Sequence, residues 1–114
     1  MTAAKYDLEI DQGSSFSIAL TVSDDGGPKN LSTFHPRGQL RKTVDSTDSI
    51  SFTFDTTQMA SGIIIMQLTH SATEAMEPGF YVYDLEIYTG SDDDETSVTR
   101  LMQGKATVSA EVTK

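Results

Sequence analysis

Phe80-Tyr81-Val82-Tyr83-Asp84-Leu85-Glu86-Ile87-Tyr88, entered through Pro78-Gly79, is the stretch that decides the fold. Pro78 and Gly79 punctuate the chain. From Phe80 onward the residues are aromatic, β-branched and aliphatic, with Asp84 and Glu86 spaced two apart. Such side chains fit a pleated, half-buried surface, so Phe80–Tyr88 reads as the strongest strand of the chain. It runs on to Gly90, and the acidic segment Ser91 to Thr96 turns it back into a last strand within Val98–Val112. A terminal hairpin is predicted, its two strands antiparallel.

Outward from that hairpin a period of two recurs. Phe16, Ile18, Leu20 and Val22 alternate with Ser15, Ser17, Ala19 and Thr21, and Tyr6, Leu8 and Ile10 alternate with Asp7 and Glu9. Ile50, Phe52 and Phe54 repeat the pattern against Ser51 and Thr53. In Arg37–Lys42 it puts Leu40 inward and the charges outward, while Ile63 to Leu68 is apolar on both phases except at Gln67. Gln12-Gly13 and Asp24-Asp25-Gly26-Gly27-Pro28 are turn chemistry. About seven or eight strands at roughly 8–15-residue spacing predict an all-β, immunoglobulin-like antiparallel β-sandwich, one domain over residues 1–114. In such sandwiches a tyrosine early in the penultimate strand bonds back to the backbone at the sheet corner. Tyr81 and Tyr83 stand where that residue belongs. The predicted core is Phe16, Ile18, Leu20, Leu40, Phe52, Phe54, Leu85 and Val108.

One segment breaks the β pattern. Ser71-Ala72-Thr73-Glu74 has the form of a capping box, with Ser71 as the cap and Glu74 reaching back to it. Pro78-Gly79 ends what it starts, so one short helical turn is expected near residues 71–76.

The chain has 114 residues, no cysteine and a net charge of −9, from 17 acidic and 8 basic residues. Disulfides and thiolate metal sites are thereby excluded, and the fold must hold by packing. An acidic surface disfavours phosphate-backbone contact and anionic lipid, so neither nucleic acid nor membrane is an expected partner. No apolar run approaches the ~20 residues of a membrane helix. The opening Met1–Lys5 lacks the apolar region of a signal peptide, which predicts a soluble chain with no visible export signal.

No constellation of residues points to catalysis, a cofactor or a metal. Asp92-Asp93-Asp94-Glu95 lacks the alternating ligands, sixth-place glycine and twelfth-place glutamate of a calcium loop and reads as a solvated hairpin tip; Asp24-Asp25-Gly26-Gly27 reads as a turn. Asp84 and Glu86, on one strand face about 7 Å apart, fall within the separation a glycosidase uses. They are also what any polar outer strand face presents, and little chain is left to build a cleft. His35 and His70 lie far apart at strand ends or loops with no metal spacing. Nucleophile elbows and phosphate-cradling loops are absent from the sequence. The expectation is a protein that is not an enzyme.

Four stretches carry a resemblance. Tyr6-Asp7-Leu8-Glu9-Ile10-Asp11-Gln12-Gly13-Ser14-Ser15-Phe16, Gln39-Leu40-Arg41-Lys42 with Pro78 to Ile87, and Val98 to Val108 together resemble a group of small tailed-bacteriophage virion proteins. The same layout is similar to the N-terminal immunoglobulin-like module of phage baseplate upper proteins. The resemblance spans Tyr6 to about Val112 and rests on motifs that determine fold. It implies a non-enzymatic structural component of a tailed-phage virion, assembled in the host cytoplasm. A small adaptor or assembly module of the tail or baseplate is the first expectation. A capsid or neck decoration protein, or a carbohydrate-binding host-attachment module, is the alternative. Baseplate upper proteins continue into helical and fibre-attaching parts where this sequence stops at Lys114, which points to a stand-alone adaptor or decoration. Sugar-binding sandwiches usually display tryptophan for stacking, and the chain has none.

The expected partners are other virion structural proteins, and the chain itself in symmetric copies. If Ile64, Met66 and Leu68 face the core, Ile63 and Ile65 face outward as a candidate interface. The N-terminal strand Tyr6, Leu8 and Ile10 and the tail Ala110–Lys114 are further candidates, since uncapped strand ends can add to a neighbour's sheet edge.

Overall fold

A computed structural model describes residues 4–24, 27–91 and 94–112, and the fold it gives is an all-β sandwich. Its strands are β1 (Ala4–Lys5), β2 (Leu8–Asp11), β3 (Phe16–Thr21), β4 (Ser23–Asp24), β5 (Gly27–Pro28) and β6 (His35–Arg41). They continue with β7 (Ile50–Ser51), β8 (Thr53–Asp55), β9 (Ile63–Leu68), β10 (Gly79–Ser91) and β11 (Asp94–Ser109). A 3-10 turn, Met59–Ser61, precedes β9, and a five-residue helix α1, His70–Glu74, joins β9 to β10.

The predicted terminal hairpin is the spine of the larger sheet. β10 and β11 pair antiparallel from Gly79–Val108 to Ser91–Asp94, and β10 pairs on its other side with β6. The large sheet runs β1-β11-β10-β6-β7, with β2 following β1 along the same edge of β11. The smaller sheet is β3-β9-β8, and β4–β5 is a separate short ribbon.

The antiparallel expectation needs one correction: β1 and β2 run parallel to β11, Ala4 beside Met102 and Leu8 beside Ala106. Period-two patterning tells which face a side chain takes and nothing of which strand lies alongside. The first and last strands are neighbours, and the alternation of Leu8 and Ile10 serves the core between the sheets.

Inward phases fall where alternation puts them. Leu40, Phe52, Leu85 and Val108 are buried, and Phe16, Ile18, Leu20 and Phe54 pack half-buried against them. Phe52 meets Phe16 and, edge to face, Tyr83 across the sandwich. A β-bulge at Leu101 sets two successive residues, Leu101 and Met102, both inward and shifts the alternation of β11 by one.

The helix corrects a second expectation. Thr69, not Ser71, is the cap: its hydroxyl accepts from Ala72 N at 3.2 Å, and the helix occupies 70–74. Both residues are good caps in sequence. The decision falls on Thr73, fully buried, whose hydroxyl donates to Ser14 O at 2.8 Å and ties the helix to the turn after β2.

At the entry to β10, Gly79 has φ of +134°, a backbone region that L side chains rarely adopt. The corner tyrosine is Tyr81, its hydroxyl donating to Glu77 O at 2.8 Å, four residues upstream. Tyr83 has a different partner: its hydroxyl donates to Tyr6 O, between β1 and β2. The approach is possible because residue 104 is glycine; a Cβ there would overlap the Tyr6 carbonyl. Where β1 gives way to β2, the carboxylate of Asp7 accepts from Lys105 N at 3.0 Å and replaces the missing ladder bond.

Candidate functional site

Both sheets have an outer face, and these are the surfaces on which the protein can act. On the small sheet Ile63 and Ile65 do point away from the core, opposite in phase to Ile64, Met66 and Leu68. They are half-buried, because β9 is the middle strand with Thr21 and Ala19 beside them on β3 and Asp55 beside Ile65 on β8. They form the apolar centre of an otherwise small and polar face.

The N-terminal candidates separate. Leu8 and Ile10 are 2% and 0% exposed and belong to the core, which corrects the expectation that they face a partner. The strand that carries them is already paired along β11, so burial within the chain claims both side chains. Tyr6 alone of the three is exposed, at 51%. In the tail, Glu111 N donates to Gln12 Oε1 at 2.9 Å; Thr113 and Lys114 lie outside the described residues. So do Asp92 and Asp93 of the hairpin tip and Asp25 and Gly26 of the earlier turn.

The outer face of the large sheet carries the charge. β6 presents Arg37 and Arg41, β10 presents Asp84 and Glu86, β11 presents Arg100 and Lys105, and β2 presents Glu9 and Asp11. β6, β10 and β11 therefore alternate in sign, the edge beyond β11 is mixed, with Lys5 of β1 beside Gln103 before Glu9 and Asp11 of β2, and all three arginines of the chain stand on this one face. Arg37 Nε lies 3.0 Å from Glu86 Oε1, and Arg100 reaches Asp84 at 3.5 Å and Glu86 at 3.9 Å. Arg37 also lies over the ring of Tyr88, 4.7 Å from its centroid. Arg41 differs: its guanidinium donates to the Ser46 carbonyl and to Gln39 Oε1, both uncharged.

Burial raises the Asp84 carboxyl above its ordinary range and the Glu86 charge adds to this, against the lowering pull of Arg100, Arg37 and Arg41. Asp84 and Glu86 do share the outward face, as alternation requires. They are neighbours on an open sheet, each beside a guanidinium, and do not oppose one another across a cleft. A shallow depression of about 350 Å³ lies beside them, lined by Gln39, Arg41, Val44, Val82, Asp84 and Arg100. Among the described residues no group of three histidine, aspartate or glutamate side chains is placed to hold a metal ion. Among them, too, no helix is long and apolar enough to cross a membrane.

Three apolar side chains stand exposed around this charged face, Phe80 at 75% on β10, Val98 at 45% on β11 and Val44 at 81% after β6. Alternation in the sequence puts Asp84 and Glu86 on one face and misses the stripes. It gives the facing of each residue; only strand order shows that arginines from residues 37, 41 and 100 converge there.

The fold has solved counterparts. The N-terminal domain of ORF48 of phage TP901-1 superposes with a TM-score of 0.52 over 95% of this chain and 98% of that one, at 16% identity. The likeness is one of fold. The Listeria monocytogenes internalin-like protein lmo2027 gives a TM-score of 0.41 at 13% identity, over 96% of this chain and 28% of that one. AggA, the major subunit of aggregative adherence fimbriae type I of Escherichia coli, gives 0.36 at 9% identity, over 94% and 91%. No family model matches the sequence, and no curated protein matches it.

Proposed function

We infer that the protein is a non-enzymatic structural component of a tailed-phage virion, a small assembly module of the tail or baseplate. The observation that carries this reading is the fold shared end to end with the N-terminal domain of a phage protein, 95% of one chain on 98% of the other. The resemblance of the Tyr6–Phe16, Pro78–Ile87 and Val98–Val108 stretches to small virion proteins points the same way. The surfaces support an assembly role: a charged sheet face with Phe80 and Val44 beside it, and a second face centred on Ile63 and Ile65. Its partners are other virion proteins and further copies of itself, held by surface contacts and not by chemistry at a site.

The test is the purified particle. Mass spectrometry of gradient-purified virions is expected to detect the protein in a fixed ratio to the tail proteins, and cryo-electron microscopy to place it in the tail or baseplate. Its absence from intact particles, or a position on the capsid, would overturn the assignment. Ile63→Asp with Ile65→Asp is expected to leave the fold intact and to block incorporation; normal incorporation would move the docking surface elsewhere.

A further inference from the structure

We propose that the free edge of β3 pairs antiparallel with β3 of a second copy, about a two-fold axis at Ala19, and joins the two small sheets into one. β3 is an edge strand, hydrogen-bonded to β9 alone. Its bonding phase follows from two neighbouring groups. Val22 N donates to Gly62 O at 2.8 Å, continuing the β3–β9 register, while Ile63 N turns away from β3 to Gln58 O at 3.2 Å. Antiparallel ladders alternate bonded and non-bonded pairs, so Phe16, Ile18 and Leu20 are the residues that bond β9. Ser17, Ala19 and Thr21, all exposed, aim their N–H and C=O groups outward, where among the described residues they meet no partner.

Free edges are usually blunted by charge, proline, a bulge or shortness. The other edges here obey that rule. Asp55 stands on β8, Lys5 on β1, Glu9 and Asp11 on β2 and Arg100 on the part of β11 ahead of β1, while β7 has only two residues. Phe16–Thr21 has no charge, no proline and an unbroken register. What commits this edge to a copy of itself is that register. A two-fold axis normal to the sheet sets Ala19 opposite Ala19 and Ser17 opposite Thr21, and all these pairs fall on the bonding phase. Every outward N–H and C=O of the three residues is then satisfied in both copies, and sliding by two residues either way undoes this. An interface of this kind is isologous. The side chains agree with it. On the inner side Ile18 comes beside Leu20 of the other copy; both are half-buried in the single chain, whereas Ile64, Met66 and Leu68 on β9 are buried. On the outer side Ala19 meets Ala19 and Ser17 meets Thr21, so no like charges are opposed in a chain of net charge −9. Ser17 to Thr21 spans about 17 Å. The contact is below the area of stable complexes, which makes the dimer weak, no tighter than about micromolar. Such a dimer is independent of the virion assignment.

Sedimentation velocity of the full chain, from micromolar to about millimolar in roughly 150 mM sodium chloride to screen self-repulsion, tests it. A reversible monomer–dimer equilibrium is expected, and the amides of Ser17, Ala19 and Thr21 should gain protection from hydrogen exchange as the dimer forms. Ala19→Lys and Ala19→Glu are each expected to weaken the dimer at least about tenfold, because residue 19 opposes itself and like charges then meet at the axis. Ala19 is exposed, so both variants should keep the circular dichroism spectrum of the unaltered chain. Mixed in equal amounts, the lysine and glutamate variants should form a heterodimer, since opposite charges then face each other. Phe80→Ser, on the other sheet, should dimerise as the unaltered chain does. A chain that stays monomeric at millimolar concentration, an Ala19→Lys chain that dimerises normally, a mixture that does not pair, or a dimer lost in Phe80→Ser would each overturn the proposal.

Discussion

The hydroxyl of Tyr83 donates to the main-chain carbonyl of Tyr6, 77 residues earlier in the chain. This bond fastens the break between β1 and β2 to the strand at the centre of the large sheet. Tyr83→Phe keeps the ring against Phe52 and removes only the donor. The Tyr6 carbonyl is then without that partner, and a cost of about 1–3 kcal/mol is expected in urea denaturation. Amide exchange should rise first in residues 4–11. A loss under about 0.5 kcal/mol, the level of an ordinary surface substitution, would mean that β1 and β2 are held by their ladders alone.

The same hydroxyl gives a pH dependence. Burial, with the charges of Asp7 and Tyr6 adding to it, pushes the Tyr83 phenol up to about 12 from its ordinary 10.0. The protonated form is thus favoured by folding. Below pH 10 the phenol is neutral in both states and its contribution is fully present; above it the unfolded chain ionises first, and stability falls as pH rises towards about 12. Chemical denaturation between about pH 9 and pH 12 should show a steeper decline for the unaltered protein than for Tyr83→Phe. Parallel curves would rule out the phenol as the cause.

Gly104→Ala should destabilise by about 1–3 kcal/mol, through a Cβ forced against the Tyr6 carbonyl. Its effect and that of Tyr83→Phe should be strongly non-additive, because both act on the same approach of Tyr6 to β11. Additive losses in the double variant would separate the two.

Thr69→Ala is expected to cost about 1 kcal/mol by removing the oxygen that accepts from Ala72 N. Ser71→Ala, inside the helix and exposed, should cost almost nothing. The reverse order in a thermal melt would return the cap to Ser71.

Leu85→Ala should leave a cavity and cost about 2–5 kcal/mol, since Leu85 is fully buried between the sheets. Phe16→Ala, at a half-buried position, should cost less than Leu85→Ala. Equal losses would mean that the edge strand β3 contributes as much to the core as the central strand does.

Much of this architecture is legible in the chain. The hairpin of β10 and β11, the corner tyrosine among Tyr81 and Tyr83, and the inward phase of Leu40, Phe52, Leu85 and Val108 all derive from period two and turn chemistry. These are local signals, and each residue carries its own. The parallel seating of β1 and β2 on β11 is not local. It depends on contacts such as that of Asp7 with Lys105, 98 positions apart, for which no residue type is a marker. The same gap hides the striped face: Asp84 and Glu86 are visible as a pair, and the arginines around them become neighbours only through strand order. Alternation also puts Leu8 and Ile10 on the right phase, but it identifies an apolar face without saying whether the chain itself or a partner covers it.

The pairing of the first strands with the last also sets an order of events during synthesis. Leu8 and Ile10 leave the ribosome early, but Ala106 and Val108, beside which they are seated, come nearly a hundred residues later. At about 5–20 residues per second that interval is on the order of ten seconds. For that time two aliphatic side chains and an unpaired strand remain accessible to chaperones and to neighbouring nascent chains. Closure of the domain is therefore tied to completion of translation through Val108, and a truncated product ending before it would expose the apolar edge that the finished protein conceals.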